Sequence, residues 1–175
     1  MSNPRPHAFP RIEVPQHLYK NFNETYCPLS FDYPQNAKIN QKKFFFNENP
    51  DHECWFNLSI EQFDATLFFT YQPLTSQESL ENLVDDAFTM VSKHNPKANS
   101  RSESKINNPY GLEGVLFEIG GSVASPLQFY LTDLESHFLR ASLYYNQTSS
   151  NDSLQIVTDY IKTDVLEMIR TTKFN

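Results

Sequence analysis

Three consecutive runs in the second half of the chain alternate apolar and polar residues with period two, and very short links join them. Leu112–Gly120 places Val115, Phe117 and Ile119 on one face. Ser125–Thr132 groups Leu127, Phe129 and Leu131, and His137–Asn146 groups Leu139, Ala141, Leu143 and Tyr145. The links Gly120–Ala124 and Asp133–Ser136 cannot hold the crossover of a dozen or more residues that parallel neighbours need. The three strands are therefore expected to form antiparallel hairpins, which excludes a doubly wound parallel sheet.

The rest of the pattern agrees with that class. Glu53–Ile60 sets Phe56, Leu58 and Ile60 against Trp55, Asn57 and Ser59, and Asp64–Gln72 sets Ala65, Leu67, Phe69 and Tyr71 against Thr66, Phe68 and Thr70. Phe68 on the second face calls for cover on both sides of the sheet. A further strand is expected from Phe31 toward Ile39, and a short one over Lys42–Phe46. Asn47–His52 reads as a turn and the polar stretch Asn99–Pro109 as a loop.

Two amphipathic helices are expected. In Ser76–Lys93 the positions Leu80, Leu83, Val84, Ala87, Met90 and Val91 make one stripe, with Thr75 and Glu78 at capping-box spacing. In Asp152–Thr172 the stripe is Leu154, Val157, Ile161, Val165 and Met168, with Asp152 as N-cap. The order is arm, four strands, helix, three strands, helix. The predicted fold is α+β: an antiparallel sheet of about six or seven strands between two helices, an α/β/α sandwich. Residues 1–28, with Pro4, Pro6, Pro10, Pro15 and Pro28, form an extended N-terminal arm, because proline fixes φ and keeps the preceding residue out of the helical region. Residues 29–175 form the domain.

Composition narrows the function classes. The 175 residues hold 15 Phe, 9 Tyr and 1 Trp, too aromatic for disorder. The net charge of −7 opposes generic nucleic-acid binding, which needs basic surface for phosphate. Lys38, Lys42 and Lys43 beside Phe44–Phe46 look like a basic-aromatic patch. The charge balance favours burial of those rings, or a partner surface, over a nucleic-acid site. No apolar stretch long enough to span a membrane is present, and Met1–Pro6 leads into no export signal.

Catalytic and metal chemistry is not legible. His7, His17, His52, His94 and His137 make no H-x-x-x-H or H-E-x-x-H spacing, so no metal site and no cofactor is predicted. No G-x-S-x-G elbow is present, and nothing local activates Cys27 or Cys54 as a nucleophile. No catalytic residue is assigned, and the chain is read as a non-enzyme. Cys27 and Cys54 form either one disulfide or two buried thiols. Gly120-Gly121-Ser122-Val123-Ala124-Ser125-Pro126 lacks the Lys of a P-loop. It is a hairpin link using glycine for positive φ, or an exposed contact loop. Asn23, Asn57, Asn146 and Asn151 begin N-glycosylation sequons, and Asn57 lies inside a predicted strand.

Several runs taken together resemble one family. Cys27-Pro28-Leu29-Ser30-Phe31-Asp32-Tyr33-Pro34 is followed by Cys54-Trp55-Phe56-Asn57-Leu58 and by Tyr110-Gly111-Leu112. Then come Ala124-Ser125-Pro126-Leu127-Gln128-Phe129-Tyr130-Leu131-Thr132-Asp133 and His137-Phe138-Leu139-Arg140-Ala141. From about Pro4 to Phe174 the chain resembles the gliding-motility lipoproteins of the GldD family of gliding Bacteroidota. The resemblance implies a lipid-anchored protein on the periplasmic side of the cell envelope, needed for gliding and tied to type IX secretion. It also implies an integral-membrane partner of the GldE type, and no enzymatic activity. Family members carry the lipid on a cysteine at the mature N-terminus, which this sequence lacks, so the anchor is expected upstream of Met1. An oxidising compartment implies a Cys27–Cys54 disulfide. Asp152-Ser153-Leu154 resembles the D-[ST]-apolar O-glycosylation acceptor of these bacteria, which makes Ser153 a candidate acceptor. The element order and the F-x-Y-P strand opening resemble, more weakly, the Mog1/PsbP-like fold.

The expected mechanism is protein–protein contact through Gly120, Gly121, Ser122, Ser125 and Pro126, with Tyr110 and Arg140 as additions. The rival readings are a periplasmic small-ligand or lipid-binding module, with aromatics lining a pocket, and an enzyme whose groups converge only in three dimensions.

Overall fold

The computed structural model describes residues 12–41, 51–146 and 151–175. The expected Lys42–Phe46 strand, the Lys42/Lys43 and Phe44–Phe46 patch, most of the Asn47–His52 turn, the first part of the arm and the end of the Asn146 sequon lie outside the described residues.

The chain runs β1 (Tyr19–Phe22), β2 (Leu29–Pro34), β3 (Lys38–Gln41), β4 (Trp55–Ile60), β5 (Ala65–Pro73), α1 (Gln77–Ser92), β6 (Ala98–Asn107), β7 (Glu113–Gly121), β8 (Leu127–Thr132), β9 (His137–Tyr145), α2 (Asn151–Thr171) and β10 (Lys173–Phe174). Seven strands make one antiparallel sheet in the order β3-β4-β5-β9-β8-β7-β6, and β1-β2-β10 make a small second sheet. The α+β sandwich stands as expected, with the three C-terminal strands hairpin-linked.

Period-two alternation delivers two cores. Phe56, Leu58, Ile60, Leu67, Phe69, Leu116, Phe129, Leu131, Leu139 and Leu143 face α2, whose Val157, Ile161, Val165 and Met168 close over them. Phe117, Ile119, Tyr130 and Phe138 face the other way, toward Leu80, Ala87 and Val91 of α1. The small sheet joins the α2-side core. Phe22 stacks on Phe56 at 4.7 Å between ring centroids, and Phe31 on Phe69 at 5.5 Å. Phe22, Phe31, Phe56 and Phe69 thus form one column of rings tying the two sheets together.

Several boundaries differ from expectation, each for a local reason. The strand expected from Phe31 to Ile39 breaks at a turn closed by Ala37 N–H donating to the Pro34 carbonyl at 3.0 Å. Its halves enter different sheets. The polar stretch expected as a loop is the ten-residue strand β6. It is the sheet edge, where Ser, Glu and Lys side chains remain solvated while the backbone pairs with β7. Alternating hydrophobicity cannot reveal such a strand. The α1 cap is Ser76, not Thr75: its side chain accepts from Ser79 N–H, and the Ser79 hydroxyl returns the bond in place of Glu78. Asp152 lies inside α2, which starts at Asn151. β1 and β10 are short and take their pairing from β2, in registers such as Phe22↔Phe31 and Phe174↔Leu29.

Candidate functional site

Helix α1 covers only part of one face of the sheet. It packs over β7, β8 and the start of β9, and leaves the same face of β4, β5 and most of β9 beside it. A cavity of about 490 Å³ opens there, within the range usual for small-molecule sites. Trp55, Phe68, Phe138 and Tyr144 supply aromatic wall from the sheet, and Leu83 and Met90 line it from α1. The Trp55 indole N–H donates to the Tyr71 carbonyl at 3.0 Å.

The polar groups of the cavity have a definite arrangement. Arg140 of β9 lies between Thr70 of β5 and Tyr130 of β8 in register. Its guanidinium donates to Gln128 Oε1 at 3.0 Å, and Ser142 Oγ approaches the same oxygen at 3.4 Å. Burial lowers the Arg140 pKa, against an opposing pull from Tyr144 and Asp86. Burial, and then the charge of Arg140, push the His94 imidazole below its usual range. Gln128 is only 2% exposed, and its Nε2 has no hydrogen-bond partner among the described residues.

A second cluster has the composition of a catalytic triad but not the geometry. Tyr71 Oη and His137 Nδ1 are 2.6 Å apart, and His137 Nε2 is 3.9 Å from Asp133 Oδ2, too far for a hydrogen bond. Asp133 is committed to its turn: its Oδ1 accepts the backbone N–H groups of Glu135, Ser136 and His137. Burial raises its pKa, but these bonds outweigh that and hold the carboxyl below its ordinary value. Tyr71 is itself 2% exposed, and Phe174 stacks on His137 at 4.7 Å. The cluster locks β10 against the main sheet. Among the described residues no group of three or more His, Cys, Asp or Glu could hold a metal ion.

The residues expected to form a contact surface occupy three separate surroundings. Tyr110 is 56% exposed on a loop built by Asn108. The Asn108 amide donates to the carbonyls of Ile169 and Thr172 at 3.0 and 2.7 Å, and its Oδ1 accepts the Tyr110 and Leu112 N–H groups. Gly111 supplies the positive φ of 76° that closes this turn. Gly120 and Gly121 end β7 where β6 bulges, and Gly121 has φ +106°. A Cβ at Gly121 would meet the Lys97 carbonyl oxygen at 2.6 Å, so close backbone approach explains the glycine. Ser122 is exposed, Pro126 half-buried, and Ser125 fully buried with its hydroxyl unbonded among the described residues. Gly120 and Pro126 border a hollow of about 230 Å³, which the Glu118–Lys162 ion pair of 2.7 Å also lines. Arg140 stands apart from both, at the cavity beneath α1. Ser153 is half-buried in the first turn of α2, and the sequon Asn57 is 6% exposed within β4.

Sequence reasoning anticipated aromatics lining a pocket, but not which residues line it. Its lining residues come from β4, β5, β9 and α1, which only the sheet order brings together. The readable signs were the aromatic content and Phe68 on the second face.

Cys27 and Cys54 are disulfide-bonded with Cα atoms 4.7 Å apart, joining the segment before β2 to the start of β4. Among the described residues no helix is long and apolar enough to cross a membrane. The fold is thus a mixed sheet-and-helix domain, internally cross-linked, with a lined cavity on its α1 side. The family model described as "Gliding motility lipoprotein GldD" matches residues 1–174, and the chain belongs to that family. As a member of a lipoprotein family, it is an envelope-associated, lipid-anchored protein. No curated protein matches the chain. Among solved structures, the solution structure of cyanobacterial PsbP (CyanoP) from Synechocystis sp. PCC 6803 is similar to it, with a TM-score of 0.49 and 14% identity, covering 96% of this chain and 99% of that one.

Proposed function

We propose that this is a non-enzymatic lipoprotein, anchored on the periplasmic side of the envelope, that supports gliding motility and type IX protein secretion through protein–protein contacts. Its partners would be an integral-membrane protein of the GldE type, components of the secretion machinery, or both. The observation that carries this reading is the family match over residues 1–174. Tyr110 adds physical support. It is an exposed aromatic on a loop pinned by four hydrogen bonds of a buried asparagine, and rigid aromatics lose little entropy on docking. Crosslinking intact cells that carry a tagged, lipidated copy tests it. Recovery of the membrane partner or of secretion components is the expected result. Only background proteins recovered with a well-anchored bait would overturn it.

The cavity of about 490 Å³ favours a second reading, in which the domain also binds a small ligand or lipid in the periplasm. The two are compatible, because Tyr110 and Arg140 belong to different faces.

A further inference from the structure

The cavity beneath α1 combines apolar walls with a cation whose hydrogen-bonding capacity the protein leaves largely unused. An arginine carries five N–H donors. Arg140 donates one to Gln128, and among the described residues no carboxylate comes within ion-pair distance of it. A half-buried guanidinium without a carboxylate in direct contact is unfavourable, since desolvation is offset only by pairing or by hydrogen bonds. Its partner Gln128 is buried, so that bond fixes the guanidinium in place. Lys93 and Asp86 also line the cavity, so with Arg140 its ionised side chains sum to one positive charge, which a singly charged guest balances better than a multiply charged one.

We propose that this cavity binds an amphiphilic anion, with a carboxylate or phosphate-ester oxygen on the Arg140 guanidinium and a single apolar body against Trp55, Phe68 and Phe138. This rests on the ligand-binding reading above and adds the chemical class of the ligand. The anion is either a free amphiphile or the headgroup end of a membrane lipid.

Trp55 is the only tryptophan and lines the cavity, so its fluorescence reports occupancy directly. The chain is titrated with dodecanoate, dodecyl phosphate, neutral dodecanol and phosphatidylglycerol vesicles. The expected result is a saturable Trp55 change with an anion, and binding of dodecanol weaker by roughly tenfold or more, the difference one charge-assisted hydrogen bond supplies. Arg140→Gln should remove that preference and Arg140→Lys should keep part of it. Thr70→Glu gives a variant that leaves Arg140 and its Gln128 bond in place. Thr70 is the cross-strand neighbour of Arg140, so the new carboxylate should compete with the anion and spare dodecanol. A response to vesicles but not to the monomeric anions, lost in Arg140→Gln, would place the anion on a membrane lipid and support the proposal. Equal binding of dodecanol and dodecanoate, unchanged in both Arg140→Gln and Thr70→Glu, would overturn the anion assignment while leaving a ligand cavity. No response to any of the four would overturn both.

Discussion

Asn108 makes more use of its side chain than any neighbouring residue of its turn. It satisfies two carbonyls at the end of α2 and two N–H groups of the turn that carries Tyr110. At 7% exposure, water cannot replace those bonds. Asn108→Ala is expected to destabilise the protein by about 2–3 kcal/mol, because it leaves buried carbonyls unpaired rather than merely removing favourable contacts. Urea unfolding would show this as a lower midpoint with an unchanged slope. An unchanged midpoint would mean that the loop relaxes freely, and Tyr110 would then lose its claim to be a rigid anchor. The asparagine was visible in the sequence only as one polar residue of a presumed loop. Its role depends on the end of α2, some sixty positions later in the chain.

The arm is held at the scale of elements. Asp164 of α2, 1% exposed, accepts from Tyr19 Oη at 3.0 Å and is paired with His17 Nδ1 at 2.7 Å. His17 also stacks on Tyr160 at 4.3 Å. Burial raises the Asp164 pKa, and the two side-chain bonds offset only part of that. A carboxyl raised in the folded state holds its proton more tightly there than in the unfolded chain. Its ionisation therefore costs stability as pH rises from the ordinary carboxylate value, about 4, through the folded value. Two outcomes are expected. Asp164→Ala should release β1, seen as faster hydrogen exchange over Leu18–Phe22, at a cost of about 2 kcal/mol for the stranded partners. Asp164→Asn should cost less at neutral pH, and the wild type should gain on the Asn variant as pH falls toward 4. A wild type that loses ground to Asp164→Asn on acidification would show the carboxylate to be stabilised by its partners rather than penalised by burial.

The disulfide acts on the whole molecule. It closes a segment of 27 residues between the small sheet and the main sheet. In the chain-entropy account a closure of that length is worth about 3 kcal/mol, through restriction of the unfolded chain. The double variant Cys27→Ala/Cys54→Ala is expected to melt about 6–12 °C lower, given 2–4 °C per kcal/mol for a chain of this size. A reductant should bring the wild type to the same midpoint and leave the variant unmoved. Equal melting of the oxidised and reduced wild type would mean that the aromatic column alone, through Phe22, Phe31, Phe56 and Phe69, sets the association of the two sheets.

Local pattern determined much of this molecule. The hairpin-linked strands of the C-terminal half, β4 and β5, both helices and the two-faced sheet follow from period-two and helical spacing, which act over a few residues. The runs around Cys27, Ala124–Asp133 and His137–Ala141 carried the family. The tertiary structure alone decided the rest. The polar edge strand β6 owes its pairing to an uncovered neighbour in β7. The strand from Phe31 divides between two sheets because its halves meet different partners. β10 exists because α2 delivers the chain end to β2. The cavity is left where one helix covers only part of a sheet face, and neither element records that in its own sequence. Arg140 became a site residue only when β9 took the centre of the sheet and placed its guanidinium under α1, away from the loops with which the linear pattern had grouped it.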